Sequence, residues 1–177
     1  MLAFVAISAG CGSTRVAIQD VHLRSPGPFE RLTVFVSLPK GGDNASIPIY
    51  RGFRRVLRSK LEACDVSTFI VAGMPGKLDG SVGPQHPPIV TDARLIVRAR
   101  YGSITTVVDQ HGRPVFGENN KLDIDFWFEL SEQKSTRVTW LAFANLKSDD
   151  WGELAGEDLA DAIVGRLRLD GVLKRCR

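Results

Sequence analysis

The sequence predicts an α+β domain, a two-layer sandwich in which two helices cover one face of a mostly antiparallel sheet of four to five strands, in the order β-α-β-β-β-β-α. Three observations predict it. Two stretches, 46–64 and 148–171, carry apolar residues at spacings of three and four, whereas 32–38, 66–72, 93–108, 121–132 and 137–146 are β-rich or alternate with a period of two. The two periods do not alternate regularly along the chain: four strands follow one another between the helices, the last three as a meander. The 177 residues have 44% hydrophobic and 24% charged composition, an ordinary balance for one folded domain with a sizeable core.

The first element is Leu32-Thr33-Val34-Phe35-Val36-Ser37-Leu38, β-branched and alternating, closed by the turn-rich Pro39-Lys40-Gly41-Gly42-Asp43-Asn44. That glycine cluster lacks the Gly-x-x-x-x-Gly-Lys-Ser/Thr spacing of a phosphate loop and reads as a turn. A helix follows. Ser46 offers a cap, Pro48 suits the first turn, and Tyr50, Phe53, Leu57 and Leu61 form an apolar stripe. At 100° per residue, Arg51, Arg54, Arg55 and Arg58 fall together on the opposite face, beside Glu62. Two readings of this stripe stay open: a site for an anionic lipid, glycolipid or acidic partner, or the solvated side of an amphipathic helix.

Val66 to Ala72 is a short strand, and 73–88, with four glycines and four prolines, reads as a long loop. It holds His86, which has no acid or cysteine nearby at ligand spacing. The meander then comprises Ala93–Val108 with an expected kink at Gly102, a turn over 109–114, a brief Val115-Phe116 extension, Lys121–Glu132 and Arg137–Leu146. Within Lys121–Glu132, Leu122, Ile124, Phe126 and Phe128 share one face and Asp123, Asp125, Trp127 and Glu129 the other. The Asp123/Asp125 pair can be read as catalytic carboxylates or as an exposed polar strand face. Ser148-Asp149-Asp150 suits a helix start; Leu159, Ile163 and Leu167 recur every four residues towards Gly171, and Trp151 is expected to pack at the helix entry.

Residues 2–9 form an uncharged apolar run that stops at Gly10-Cys11-Gly12. Small residues directly before a cysteine at the end of a short apolar segment are what a lipoprotein signal peptidase cuts. In Ser8-Ala9-Gly10-Cys11, followed by Gly12-Ser13-Thr14, the chain resembles bacterial envelope lipoproteins. The resemblance implies a signal peptide over 1–10, acylation of Cys11, an acylated tether over 11–30 containing Ser25-Pro26-Gly27-Pro28, and a single domain over 31–177. With Gly12 after the cysteine, it implies delivery to the outer membrane, facing the periplasm. The alternative is a cytoplasmic protein in which Leu2–Ser8 is a buried strand. The element order over 31–174 is similar to that of small accessory lipoproteins such as the lipopolysaccharide-assembly lipoprotein and the auxiliary lipoproteins of lipid-transport ABC systems, which implies transport or assembly work without catalysis.

Setting Cys11 aside leaves Cys64 and Cys176, an even pair suited to a disulfide in an oxidising compartment. Each follows a predicted helix C-terminus, so antiparallel helices would put the two thiols at opposite sheet edges, and the alternative of two unrelated thiols stays open. A formal charge of +3 is too small and too dispersed to argue for nucleic acid. Gly-x-Ser-x-Gly, Cys-x-x-Cys, His-Glu-x-x-His and Gly-x-Gly-x-x-Gly do not occur as working motifs, and no cofactor or metal site is expected. Three functions compete: an envelope lipoprotein that binds a partner protein or anionic glycolipid, an anchored hydrolase using Asp123, Asp125 or His111, and a cytosolic α+β interaction module.

Overall fold

The computed structural model describes residues 14–23, 28–37, 46–72, 91–105, 107–108, 110–111, 114–115, 121–133, 138–149, 152–173 and 176. The proposed signal peptide and Cys11, the Gly41–Asn44 turn, the 73–88 loop with His86, and Trp151 lie outside them. The elements are β1 (Arg15–Leu23), β2 (Arg31–Ser37), α1 (Ser46–Glu62), β3 (Ser67–Ala72), β4 (Ala93–Thr105), β5 (Val107–Val108), β6 (Pro114–Val115), β7 (Lys121–Glu132), β8 (Val138–Ser148) and α2 (Glu153–Leu169).

An α+β fold with two helices is present, but the sheet has six strands, in the order β1-β8-β7-β4-β2-β3, and it is mixed. Strand β2 is parallel to both β3 and β4, while β4, β7, β8 and β1 are joined antiparallel. The β2-α1-β3 unit explains the parallel part: a helix between two strands carries the chain back to the end at which it started, so the second strand runs the same way as the first. The expected kink in β4 is a register shift between Ala99 and Tyr101, one step before Gly102.

The sixth strand lies where the sequence predicts tether. Residues 15–23 form β1, paired with β8 from Arg15 opposite Lys147 to Leu23 opposite Trp140. An edge strand buries only one row of side chains, here Val16 and Ile18 packed against the core. The register then shifts between Asp20 and His22, so no single alternation runs through the nine residues.

One face of the sheet supplies Val34, Leu95, Val97, Phe126, Phe128, Leu130, Trp140 and Leu146, each 3% exposed or less, to a core completed by Phe53, Leu57 and Leu61 of α1 and Leu159, Ile163 and Leu167 of α2. Helix α2 starts later than expected, because Ser148 closes β8 and Gly152 occupies the N-cap. Its C-terminus turns on Gly171 at φ +72°, where the Val172 N–H reaches back to the Leu167 carbonyl at 2.9 Å. Helix α1 ends in a similar way. Asp65 takes φ 58°, and the Val66 N–H donates to the Leu61 carbonyl at 2.9 Å.

The two helices run parallel, since β2 and β8, the strands that feed them, point in the same direction across the sheet. They cross through glycine. An added Cβ at Gly52 would lie 2.0 Å from the Glu153 carbonyl oxygen, and one at Gly156 would lie 2.0 Å from that of Ile49. Near the far end of α2 the Trp140 indole donates to Asp170 at 2.7 Å, and the same carboxylate oxygen accepts from Arg166 at 2.9 Å.

Candidate functional site

Parallel helices resolve the cysteine question. Both C-termini lie at the same end of the sandwich, and Cys64 and Cys176 form a disulfide across a sequence separation of 112 residues. Cys64 is 2% exposed and Cys176 packs on the core, so the bond ties the chain's last residues to the end of α1.

The helical stripe divides. Arg51 and Arg54 are exposed and Arg58 is half-buried on the outward face of α1, and among the described residues none forms an ion pair with them. Arg55, expected to belong with them, turns towards α2. It pairs with Glu153 at 2.8 Å and with Glu157, while Lys60 pairs with Asp161 at 3.1 Å one turn further along. These are solvent-exposed bridges, each contributing tenths of a kcal/mol to about 1 kcal/mol, and they hold the helices in register more than they stabilise the fold. The sequence missed the acids that recruit Arg55. Their spacing, Glu153, Glu157 and Asp161 at four-residue intervals, was legible as one helical face, but which helix they would meet was not.

Among the described residues no helix covers the sheet's other face. Asp123, Asp125, Trp127 and Glu129 of β7 lie there beside Phe143, Asn145 and Lys147 of β8. The Asn145 amide donates to Asp123 at 2.7 Å and to Asp125 at 2.8 Å, and Lys147 pairs with Asp123 at 3.0 Å. Those partners, Asn145 first and then Lys147, hold the Asp123 carboxyl below its usual range. A group stabilised as its anion is poorly placed to act as a general acid near neutral pH. Trp127 packs edge-on against Phe143 with ring centroids 4.5 Å apart, and Ala17, Gln19, Asp125, Phe143 and Asn145 line an open cavity of about 190 Å³. Asn145 and Phe143 escaped the sequence reading because only the β7/β8 register brings them to the two aspartates.

His111 sits in the turn of the separate β5–β6 hairpin, next to Gln110 at 3.4 Å, and not in the sheet that carries Asp123 and Asp125. Among the described residues no group of three or more His, Cys, Asp or Glu is placed to hold a metal ion, and no helix is long and apolar enough to cross a membrane.

Compared with known families and with curated proteins, the sequence matches none. Its fold is similar to two solved structures of PelC from Paraburkholderia phytofirmans, each described as a dodecamer. One, a point variant, aligns with a TM-score of 0.52 at 12% identity, covering 90% of this chain and 98% of that one. The second aligns with a TM-score of 0.51 at 12% identity, covering 90% and 99%. At that identity the likeness is one of fold: the chain shares the PelC architecture over nearly its whole length.

Proposed function

We propose that this protein is a non-catalytic lipoprotein of the bacterial cell envelope, held at the outer membrane through acylated Cys11 and presenting Arg51, Arg54 and Arg58 to an acidic partner protein or an anionic glycolipid. The observation that carries the binding role is the division of the arginine stripe. Arg55 is engaged by α2, whereas its three neighbours face outwards with no acidic partner among the described residues. Guanidinium groups so placed suit carboxylate or phosphate ligands. The disulfide supports an extracytoplasmic address. The ionised, partnered state of Asp123 supports a structural role for the open-face carboxylates over acid–base catalysis.

Metabolic labelling with a palmitate analogue tests the anchor: the wild type takes up label and Cys11→Ala does not, and an unlabelled wild type in an expressing bacterium refutes the reading. Charge reversal at Arg54 tests the surface without disturbing the helix pair, as Arg55 would; unchanged binding to anionic vesicles and to envelope extract removes the stripe from consideration.

A second reading concerns assembly. Among the described residues, strands β1 and β3 each pair on one side only, which leaves two strand edges on opposite sides of the sheet. Joining unlike edges of successive copies is a heterologous contact, which closes into a ring when the rotation permits, and the similar PelC structures are described as dodecamers. Light scattering on the disulfide-intact protein decides it: a ring has the mass of many copies, and a strictly monomeric protein at high concentration excludes it.

A further inference from the structure

On the lipoprotein reading, we infer that the bilayer lies against one defined end of the domain: the end where β1 begins, β8 closes and α2 takes its first turn, with Leu154 at the contact. The argument starts from chain length. Three peptide steps separate Cys11 from Thr14, and an extended chain spans at most about 3.6 Å per residue, so the acylated residue lies within about 11 Å of Thr14.

Thr14 is itself fixed to the body. Its hydroxyl is 2.9 Å from the Ser148 hydroxyl, and it lies beside the Asp158 carboxyl of α2, whose charged form it favours. Arg15, the next residue, already pairs with Lys147 in the sheet. The link between the anchor and the first residue fixed to the domain is therefore three residues long, against the twenty of the expected tether. The nine residues of β1 carry the sheet about 30 Å away from this point, which places the Cys64–Cys176 disulfide and the end of α2 far from the membrane.

The chemistry of the near end suits a bilayer surface. Leu154 is 61% exposed in the first turn of α2, one helical turn from the Asp158 that lies beside Thr14. Arg15 and Lys147, exposed and opposite one another, mark the same end on the sheet face away from the helices, where Lys147 is bridged to Asp123. An exposed apolar side chain on the helical side and cations on the other, all at one end of the sandwich, suit a lipid interface. Among the described residues the acids nearby are engaged within the domain: Glu153 and Glu157 with Arg55, Asp123 with Lys147 and Asn145, and Asp158 beside Thr14. The short link, more than net charge, sets the orientation.

Helix α2 supplies a matched pair of reporters, because Leu169 at its other end is 74% exposed and lies about 22 Å from Leu154 along the axis. Leu154→Cys and Leu169→Cys, each labelled with an environment-sensitive fluorophore on the lipidated full-length protein, are bound to vesicles of phosphatidylethanolamine and phosphatidylglycerol containing a headgroup spin label. Label at 154 is expected to be quenched several-fold more than label at 169. Twelve Gly/Ser residues inserted between Gly12 and Ser13 are expected to abolish the difference while leaving flotation intact. Equal quenching at both sites of a protein that floats with the vesicles overturns the orientation and leaves the anchor standing. A wild-type protein that does not float overturns both.

Discussion

Gly156→Ala and Gly165→Ala are the same substitution in the same helix, and the structure gives them opposite signs. A Cβ at 156 would sit 2.0 Å from the Ile49 carbonyl oxygen and 2.7 Å from the Phe53 nitrogen, against a floor of 3.0 Å for real Cβ contacts. Both obstacles are backbone, so no rotamer change relieves them; the helices must part by roughly 1 Å along the contact, loosening Phe53 and Leu159 behind it. Overpacking of this kind costs about 1–3 kcal/mol. With a clash on two backbone atoms the upper figure applies, and the gain of about 1 kcal/mol from replacing a helical glycine offsets part of it, leaving a net loss of about 2 kcal/mol. At Gly165 nothing lies within 4 Å of the added carbon, so only the gain remains, about 1 kcal/mol.

The two variants should thus differ by about 3 kcal/mol, or roughly 6–12 °C in Tm for a chain of this size. Urea titrations followed by circular dichroism, with the disulfide intact, measure both. A Gly156→Ala protein as stable as the wild type would refute the close crossing and with it the parallel helix pair. Gly52→Ala, whose Cβ would meet the Glu153 carbonyl at 2.0 Å, repeats the test from the other helix.

Two further outcomes follow from specific contacts. Reducing the Cys64–Cys176 bond, or replacing both cysteines by serine, should lower stability by about 4–5 kcal/mol in the chain-entropy account for a loop of this length; urea midpoints with and without reductant check it, and a midpoint indifferent to reductant would mean the bond does not form in solution. The pH dependence should show two opposing carboxylates. Burial pushes the Asp158 carboxyl up from 3.8, so the folded state holds that proton more tightly; its contribution is full below 3.8 and declines as pH rises through the raised value. Asp158→Asn should therefore remove a decline in stability just above pH 3.8. Asp123 is held below 3.8, by Asn145 and then Lys147, so its contribution is present above that value and lost as pH falls through the lowered one. Asn145→Ala should flatten this acid-side loss, and urea midpoints from about pH 3 to about pH 7 separate the two slopes.

What could be seen in the sequence depended on how much side-chain surface each element buries. Strand β7 alternates cleanly because one face meets the core and the other meets solvent, so Phe126 and Asp125 announce their faces. Helix α1 announces itself because Phe53, Leu57 and Leu61 are all buried on one side. Strand β1 hid because its alternation is broken: Val16 and Ile18 share one row, and the register then shifts between Asp20 and His22. The relative direction of the helices was also hidden, since it follows from the parallel pairing of β2 with β4, a backbone property that no side-chain period encodes. That one direction changed the reading of the site twice: it joined Cys64 to Cys176, and it set Arg55 against Glu153 and Glu157.

The same direction bears on which anion the arginines would meet. Helix α1 begins at the end where Gly52 faces Glu153, the end assigned above to the bilayer. At 1.5 Å per residue Arg51 is about 8 Å along the axis from Ser46, Arg54 about 12 Å and Arg58 about 18 Å. On the anchored reading the arginines thus form a column rising away from the membrane. The screening length at physiological salt is about 8 Å, so headgroups at the foot of this column act on Arg51 and scarcely on Arg58. A ligand that engages all three has to extend along α1, which an acidic protein surface or an elongated glycolipid headgroup does and a flat lipid surface does not. Arg58→Glu is therefore expected to weaken capture of such a partner while leaving vesicle binding of the lipidated protein unchanged, and Arg51→Glu is expected to weaken both. Equal losses of vesicle binding from the two substitutions would lay α1 flat on the bilayer and refute the upright domain.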